Sequence, residues 1–222
     1  AASLTYNEFL FAVNLNSGSC MNIGGLNAQV WLVKCDAQGN VLGEYIFPSG
    51  EALGVLGVFQ STAGKVLLIG SKVFQIQIDD NGNYDCSTKP NIVQLNDQLI
   101  PEWNYTLDTD LAIFSRWSGI TEDDNGNYLL VGERWFGNLF PGYDPNEIRH
   151  EGLLTKLSPL GDSIWSRTIT HPDFETVIDL TFHDVEILEN GDLILSGILD
   201  DETFTSPTFG QYGWLVKTDS LG

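Results

Sequence analysis

Trp31-Leu32-Val33-Lys34-Cys35-Asp36-Ala37-Gln38-Gly39 is answered near the other end of the chain by Trp214-Leu215-Val216-Lys217-Thr218-Asp219-Ser220-Leu221-Gly222. An apolar strand runs into an acidic turn and closes on glycine in both places. Two looser copies lie between them: Phe74–Asp79 running into Gly82, and Leu153–Ser158 running into Gly161. One strand and turn used four times in 222 residues predicts a repeat architecture.

Working outward, three segments align on glycines six residues apart: Gly64 to Gly70, Gly126 to Gly132 and Gly191 to Gly197. The first glycine belongs to a turn, and Asp124-Asn125-Gly126 and Glu189-Asn190-Gly191 predict tight hairpins in which Asn-Gly takes the positive φ. The residues between the glycines are almost wholly apolar, as in a strand covered on both faces. The closing glycine suits a crowded approach of backbones. A strand is expected before each turn, at Gly54–Gln60, Ala112–Thr121 and Val177–Leu188. Last strands are expected at Val41–Phe47, Tyr84–Cys86 and Ser163–Ile169.

Four antiparallel strands per unit, repeated in series, predict an all-β chain folded as a β-propeller of four-stranded blades. The units span roughly 1–50, 51–109, 110–175 and 176–222. Phe9–Asn14 reads as a strand directly preceding Trp31, so the first blade is expected to lack its earliest strand. The chain stops at Gly222, inside a turn. The expectation is about three and a half blades of a longer propeller.

Trp-Leu-Val-Lys-x-Asp-x-x-Gly alternating with Asn-Gly-[Asn/Asp]-x-Leu-x-x-Gly resembles the repeat propellers of large secreted bacterial proteins, many of them cargo of the type IX secretion system. The resemblance covers about Val30 to Gly222. It implies a secreted or cell-surface protein. Gly161-Asp162-Ser163-Ile164-Trp165 also resembles, more distantly, the tryptophan-docking repeat of quinoprotein and outer-membrane assembly propellers, but Gly43 stands at the equivalent of Trp165 after Gly39. The sialidase Asp-box fails at Leu160 and Asp162.

Ten Lys and Arg stand against thirty Asp and Glu, a net charge of −20. Such a chain repels phosphate backbones and anionic membrane surfaces, which makes nucleic acid a poor partner. The acidity suits solubility outside the cell. No run approaches the ~20 apolar residues of a membrane helix. Cys20, Cys35 and Cys86 show no metal-site spacing; Cys20 and Cys35 are a candidate pair, and all three suit small buried positions.

No nucleophile–base pair, phosphate loop or metal motif is present, so no catalytic residue is assigned. Asp79–Asp85 and Glu122–Asn127 offer oxygens to calcium, but the twelfth loop positions are Pro90 and Arg134 rather than Glu, so solvated hairpin turns are expected and no cofactor is assigned. The long insertion from Glu133 to Gly152 carries Arg134, Trp135, Phe136, Phe140, Tyr143 and Asp144. Aromatics with a few polar groups suit sugar rings or a partner's side chains. A second excursion, Ser87 to Asp110, adds Trp103 and Tyr105. Trp31, Trp165 and Trp214 are expected in blade cores. The sequence thus points to a non-enzymatic binding or scaffold module for a protein or glycan partner. Two other readings stand beside it: a glycan hydrolase or lyase with carboxylates at the propeller axis, and a structural subunit of an outer-membrane or surface complex.

Overall fold

The computed structural model describes residues 2–4, 8–15, 29–47, 53–78, 84–109, 112–136, 149–171, 179–201 and 210–222, and every regular element in them is a β-strand. The chain divides into two compact units, Ala1–Asp108 and Thr109–Gly222. In the first unit, β1 (Ala2–Leu4), β2 (Glu8–Leu15), β3 (Gln29–Asp36) and β4 (Val41–Ile46) form one sheet. A second is made of β5 (Leu53–Gln60), β6 (Val66–Ile78), β7 (Tyr84–Leu95) and β8 (Pro101–Thr106). The second unit holds β9 (Ala112–Glu122), β10 (Tyr128–Phe136), β11 (Arg149–Leu157) and β12 (Ser163–Ile169) in a third sheet. The fourth is β13 (Asp179–Ile187), β14 (Leu193–Asp201) and β15 (Gly210–Thr218). Each sheet is an antiparallel meander in chain order, and the described residues form no closed barrel.

Alternation of side chains across each strand puts one face of each sheet on its neighbour. In the first unit, Leu10, Val30 and Leu32 of the first sheet pack on Val66, Leu68, Val93 and Leu95 of the second. In the second unit, Leu129, Val131 and Leu154 of the third sheet pack on Leu193, Leu195, Val185 and Phe182 of the fourth. The registers Phe9↔Cys35, Val66↔Leu95, Tyr128↔Leu157 and Leu193↔Thr218 superpose the sheets position for position. On that superposition the two packings are one interface used twice.

One turn closes six hairpins and recurs after β15. The first residue's N–H donates to the carbonyl of the fifth, and the fourth residue's N–H donates back to the first carbonyl, as at Asp36–Asn40, Ser61–Lys65, Asn96–Ile100, Asp123–Asn127, Ser158–Asp162 and Leu188–Asp192; in Asp219–Gly222 the second bond is present. The positive φ falls on the fourth residue alone, Gly39, Gly64, Gly126, Gly161, Gly191, Gly222 and, without glycine, Leu99. Asn125 and Asn190 therefore do not take the positive φ expected of Asn-Gly. The turn is a three-residue loop with a bulge at its glycine, not the two-residue form. The side chain of the first residue supplies the rest: Asp36 Oδ1 accepts from the amides of Gln38 and Asn40, and Asp123 Oδ1 from those of Asn125 and Asn127.

The closing glycines have a structural cause. Between the first two strands of the second, third and fourth sheets the register slips by one residue, after Val55, around Ser118 and after Phe182. The bulge drives a carbonyl into the facing strand. A Cβ at Gly70 would lie 1.8 Å from the Gly54 oxygen, one at Gly132 would lie 1.9 Å from that of Arg116, and one at Gly197 would lie 2.2 Å from that of Thr181.

Four strand assignments are corrected. The first sheet does not lack its earliest strand: Ala2–Leu4 pairs with Glu8–Leu10. In the second sheet, Phe74–Ile78 is no separate third strand but the end of β6, carried past a slip between Val73 and Gln75. Tyr84–Cys86 begins the third strand rather than forming the last one. Pro101–Thr106, read as an irregular excursion, is the fourth strand. Cys35 is a free thiol, and Cys20 lies outside the described residues.

Candidate functional site

Antiparallel order gives each sheet two unlike ends. At one end the constant turn described above joins β3 to β4, β5 to β6, β7 to β8, β9 to β10, β11 to β12 and β13 to β14. At the other end the second and third strands are joined by segments of varied length, 16–28, 79–83, 137–148 and 202–209. A rigid frame with variable connections on one side is where recognition residues gather.

In the second unit the strand ends beside 137–148 form a built cluster. Glu133 on β10 faces Arg116 on β9 and Gly152 on β11 in register. Its carboxylate is fully buried, with Arg116 Nε 2.6 Å from Oε1. That contact is an ion pair rather than an aligned hydrogen bond. Oε2 accepts from Trp135 Nε1 at 3.0 Å and from the Thr181 hydroxyl of β13. A buried carboxylate needs such company, because desolvation without partners costs several kcal/mol. One row further, Trp135 is flanked by its register neighbours Phe114, with centroids 4.7 Å apart, and His150, at 4.4 Å. Across the interface the Phe182 ring fills the place of the missing Gly152 side chain, 2.2 Å from where a Cβ would stand. Trp214 stacks on Phe182 at 5.2 Å, and His171 meets Trp214 edge-on at 5.5 Å.

Arg134, Trp135 and Phe136 are thus brought together, as the last three residues of β10 rather than in a loop. Arg134 points to the face opposite Glu133: its Nε donates to Glu151 Oε2 at 2.8 Å, another nitrogen donates to the Thr168 hydroxyl at 2.9 Å, and its guanidinium lies 4.8 Å from the Phe136 ring centre. Trp103 and Tyr105 lie on β8 in the first unit, facing Gln94 and Ile92 in register. Phe140, Tyr143 and Asp144 lie outside the described residues. Trp165 and Trp214 pack on the second core, as expected of them; Trp31, expected in a core too, stands outside the first one, half-buried and donating to Glu44 at 3.2 Å. The sequence missed Glu133, Arg116 and Thr181. The signal was present as a Glu directly after the closing glycine of β10, on the strand face that also carries the apolar Val131 and Trp135.

The acidic turns are committed to structure. Burial works to raise the Asp123 pKa, but the Asn127 side chain, Lys156 and the amides of Asn127 and Asn125 outweigh it and hold the carboxyl below its usual value. Lys156 Nζ is 2.7 Å from Asp123 Oδ2. The Asn40 side chain and amide lower Asp36 in the same way. Glu122, Asp124, Glu186 and Glu189 line a cleft of about 480 Å³ at the turn end of the second unit. Among the described residues no three His, Cys, Asp or Glu side chains converge as metal ligands. Asp79–Asn83, the other acidic turn, lies outside the described residues except for Tyr84 and Asp85 beyond it.

No helix among the described residues is long and apolar enough to cross a membrane. No protein-family model matches the chain, and no curated protein matches it. Among solved structures the chain is similar to a protein of unknown function from Bacteroides caccae, at 13% identity and a TM-score of 0.29, over 95% of this chain and 72% of that one.

Proposed function

We propose that the four sheets are blades of a β-propeller, and that this scaffold is secreted or displayed at the cell surface and holds a protein or glycan partner. The repeat resemblance and the net charge of −20 support the location. One observation carries the binding role: constant turns at one end of each sheet, variable connections at the other. The recognition residues in this reading are Arg134, Trp135 and Phe136 at the end of the third sheet, together with Phe140, Tyr143 and Asp144 of the connecting segment 137–148.

The reading as a glycan hydrolase is weaker. Such enzymes use two carboxylates about 5–10 Å apart. Both Glu133 oxygens are engaged, and the nearby Glu151 is tied to Arg134 on the opposite face. The test replaces 137–148 by the Ser158–Asp162 turn. The graft is expected to keep the melting temperature within a few degrees and to abolish binding on an array of neutral and acidic oligosaccharides or to surface-protein extracts. Turnover of those oligosaccharides, lost in Glu133→Gln, would establish the enzyme instead.

A further inference from the structure

The first sheet exposes a face that the other sheets bury. Superposed by register, Phe9 and Phe11 correspond to Leu193 and Leu195 of the fourth sheet and to Val66 and Leu68 of the second. Those four are buried in the cores; Phe9 and Phe11 are 38% and 43% exposed, and Val13 and Ile46 beside them are exposed too. Trp31 occupies the position of Trp214, which in the fourth sheet is stacked on Phe182. The first sheet therefore carries the receiving half of the interface that both units already use, with nothing of the described chain packed on it as a core.

The donating half is also displayed. Leu32 and Leu154 fill the cores from the neighbouring sheet. Their register equivalent in the fourth sheet is Leu215, which is 73% exposed, with Ile194 at the position of Leu10 and Leu129. The match is one of shape and apolarity rather than charge: Glu44 accepts from Trp31, and Lys217 beside Leu215 is paired with Asp192 at 2.8 Å.

We infer that the Phe9–Phe11–Trp31 face of one copy of this chain binds the Leu215–Ile194 face of the fourth sheet of a second copy, head to tail. An exposed apolar patch of this kind marks an interaction surface. Two different patches meeting make a heterologous contact, which closes into a ring or runs on. The inference rests on the packing seen inside each unit and not on what segment 137–148 binds.

Sedimentation velocity in high salt, which screens the repulsion of acidic chains, tests it. From micromolar to near-millimolar protein, species at multiples of 24.5 kDa are expected. Phe11→Asp and Leu215→Asp each change a solvent-exposed side chain, so the fold survives, checked by circular dichroism. Each alone is expected to weaken association at least ~100-fold. An equimolar mixture of the two, having one intact face of each kind, is expected to give a heterodimer and nothing larger. Wild-type protein that stays at 24.5 kDa overturns the inference and leaves a sheet of another protein or of a longer chain as the cover. Self-association of Leu215→Asp that is lost only in Phe11→Asp overturns it in favour of a face-to-face contact.

Discussion

At Gly132 a methyl group would stand 1.9 Å from a backbone oxygen that cannot rotate away, because the Arg116 carbonyl is fixed by the bulge around Ser118. Gly132→Ala is expected to cost about 2–3 kcal/mol in chemical denaturation. Gly43, with nothing within 4 Å of its Cβ position, is the control, and Gly43→Ala is expected within about 0.5 kcal/mol of wild type. Leu99 poses the reverse problem. Its φ of 64° sits where the other turns have glycine, yet its side chain is 3% exposed in the first core. Leu99→Gly relieves ~1–2 kcal/mol of backbone strain and loses ~2–5 kcal/mol of buried side chain. A net loss of stability is expected; a gain would mean that the side chain contributes less than the backbone costs.

At the level of the hairpin, the turns depend on ionised acids. Asp192 is lowered in pKa by Lys217 and then Asn190, and Glu102 by Lys65 and then Gln94, alongside Asp36 and Asp123. A lowered folded-state pKa means that the unfolded chain takes up protons first as pH falls. The contribution is complete above the unfolded values of ~4 and disappears as pH drops through the lower folded ones. Urea midpoints are expected to be flat from neutrality to about pH 5 and to fall below about pH 4. Asp123→Asn keeps a side-chain acceptor for the turn amides but loses the Lys156 pair. It should be less stable than wild type at neutral pH and equal to it in strong acid. An unchanged difference at both would show that Asp123 acts through the turn alone.

The same elements show what the sequence made legible. Where Asp or Ser opens a turn and glycine closes it, as at Asp36, Asp123 and Ser158, strand limits were readable to within a few residues. The second sheet hid because its β7–β8 turn, Asn96-Asp97-Gln98-Leu99, lacks the glycine, and because Pro90 argues against a strand. Pro90 is tolerated one residue outside the stretch of β7 that β8 covers, which begins at Asn91. The period-two run Phe74–Ile78 looked like a new strand because a bulge at Phe74 hides its continuity with Val66–Val73. Glu133 escaped notice since its meaning lies in Arg116 and Thr181, partners distant in sequence that only the register reveals.

For the molecule as a whole, thirty acids against ten bases leave a net charge of −20 to be held together. Raising NaCl from about 0.02 to about 0.5 M shortens the screening length from ~20 to ~4 Å. The melting temperature is expected to rise by several degrees as self-repulsion weakens. A flat response would show that the acids are balanced locally, by contacts such as Lys34–Glu8 and Lys156–Asp123.

Each closing glycine and the bulge it accommodates lie within one hairpin, separated by a single short turn. A stretch of gene that duplicates one necessarily duplicates the other. A newly copied sheet arrives with its tightest steric conflict already resolved.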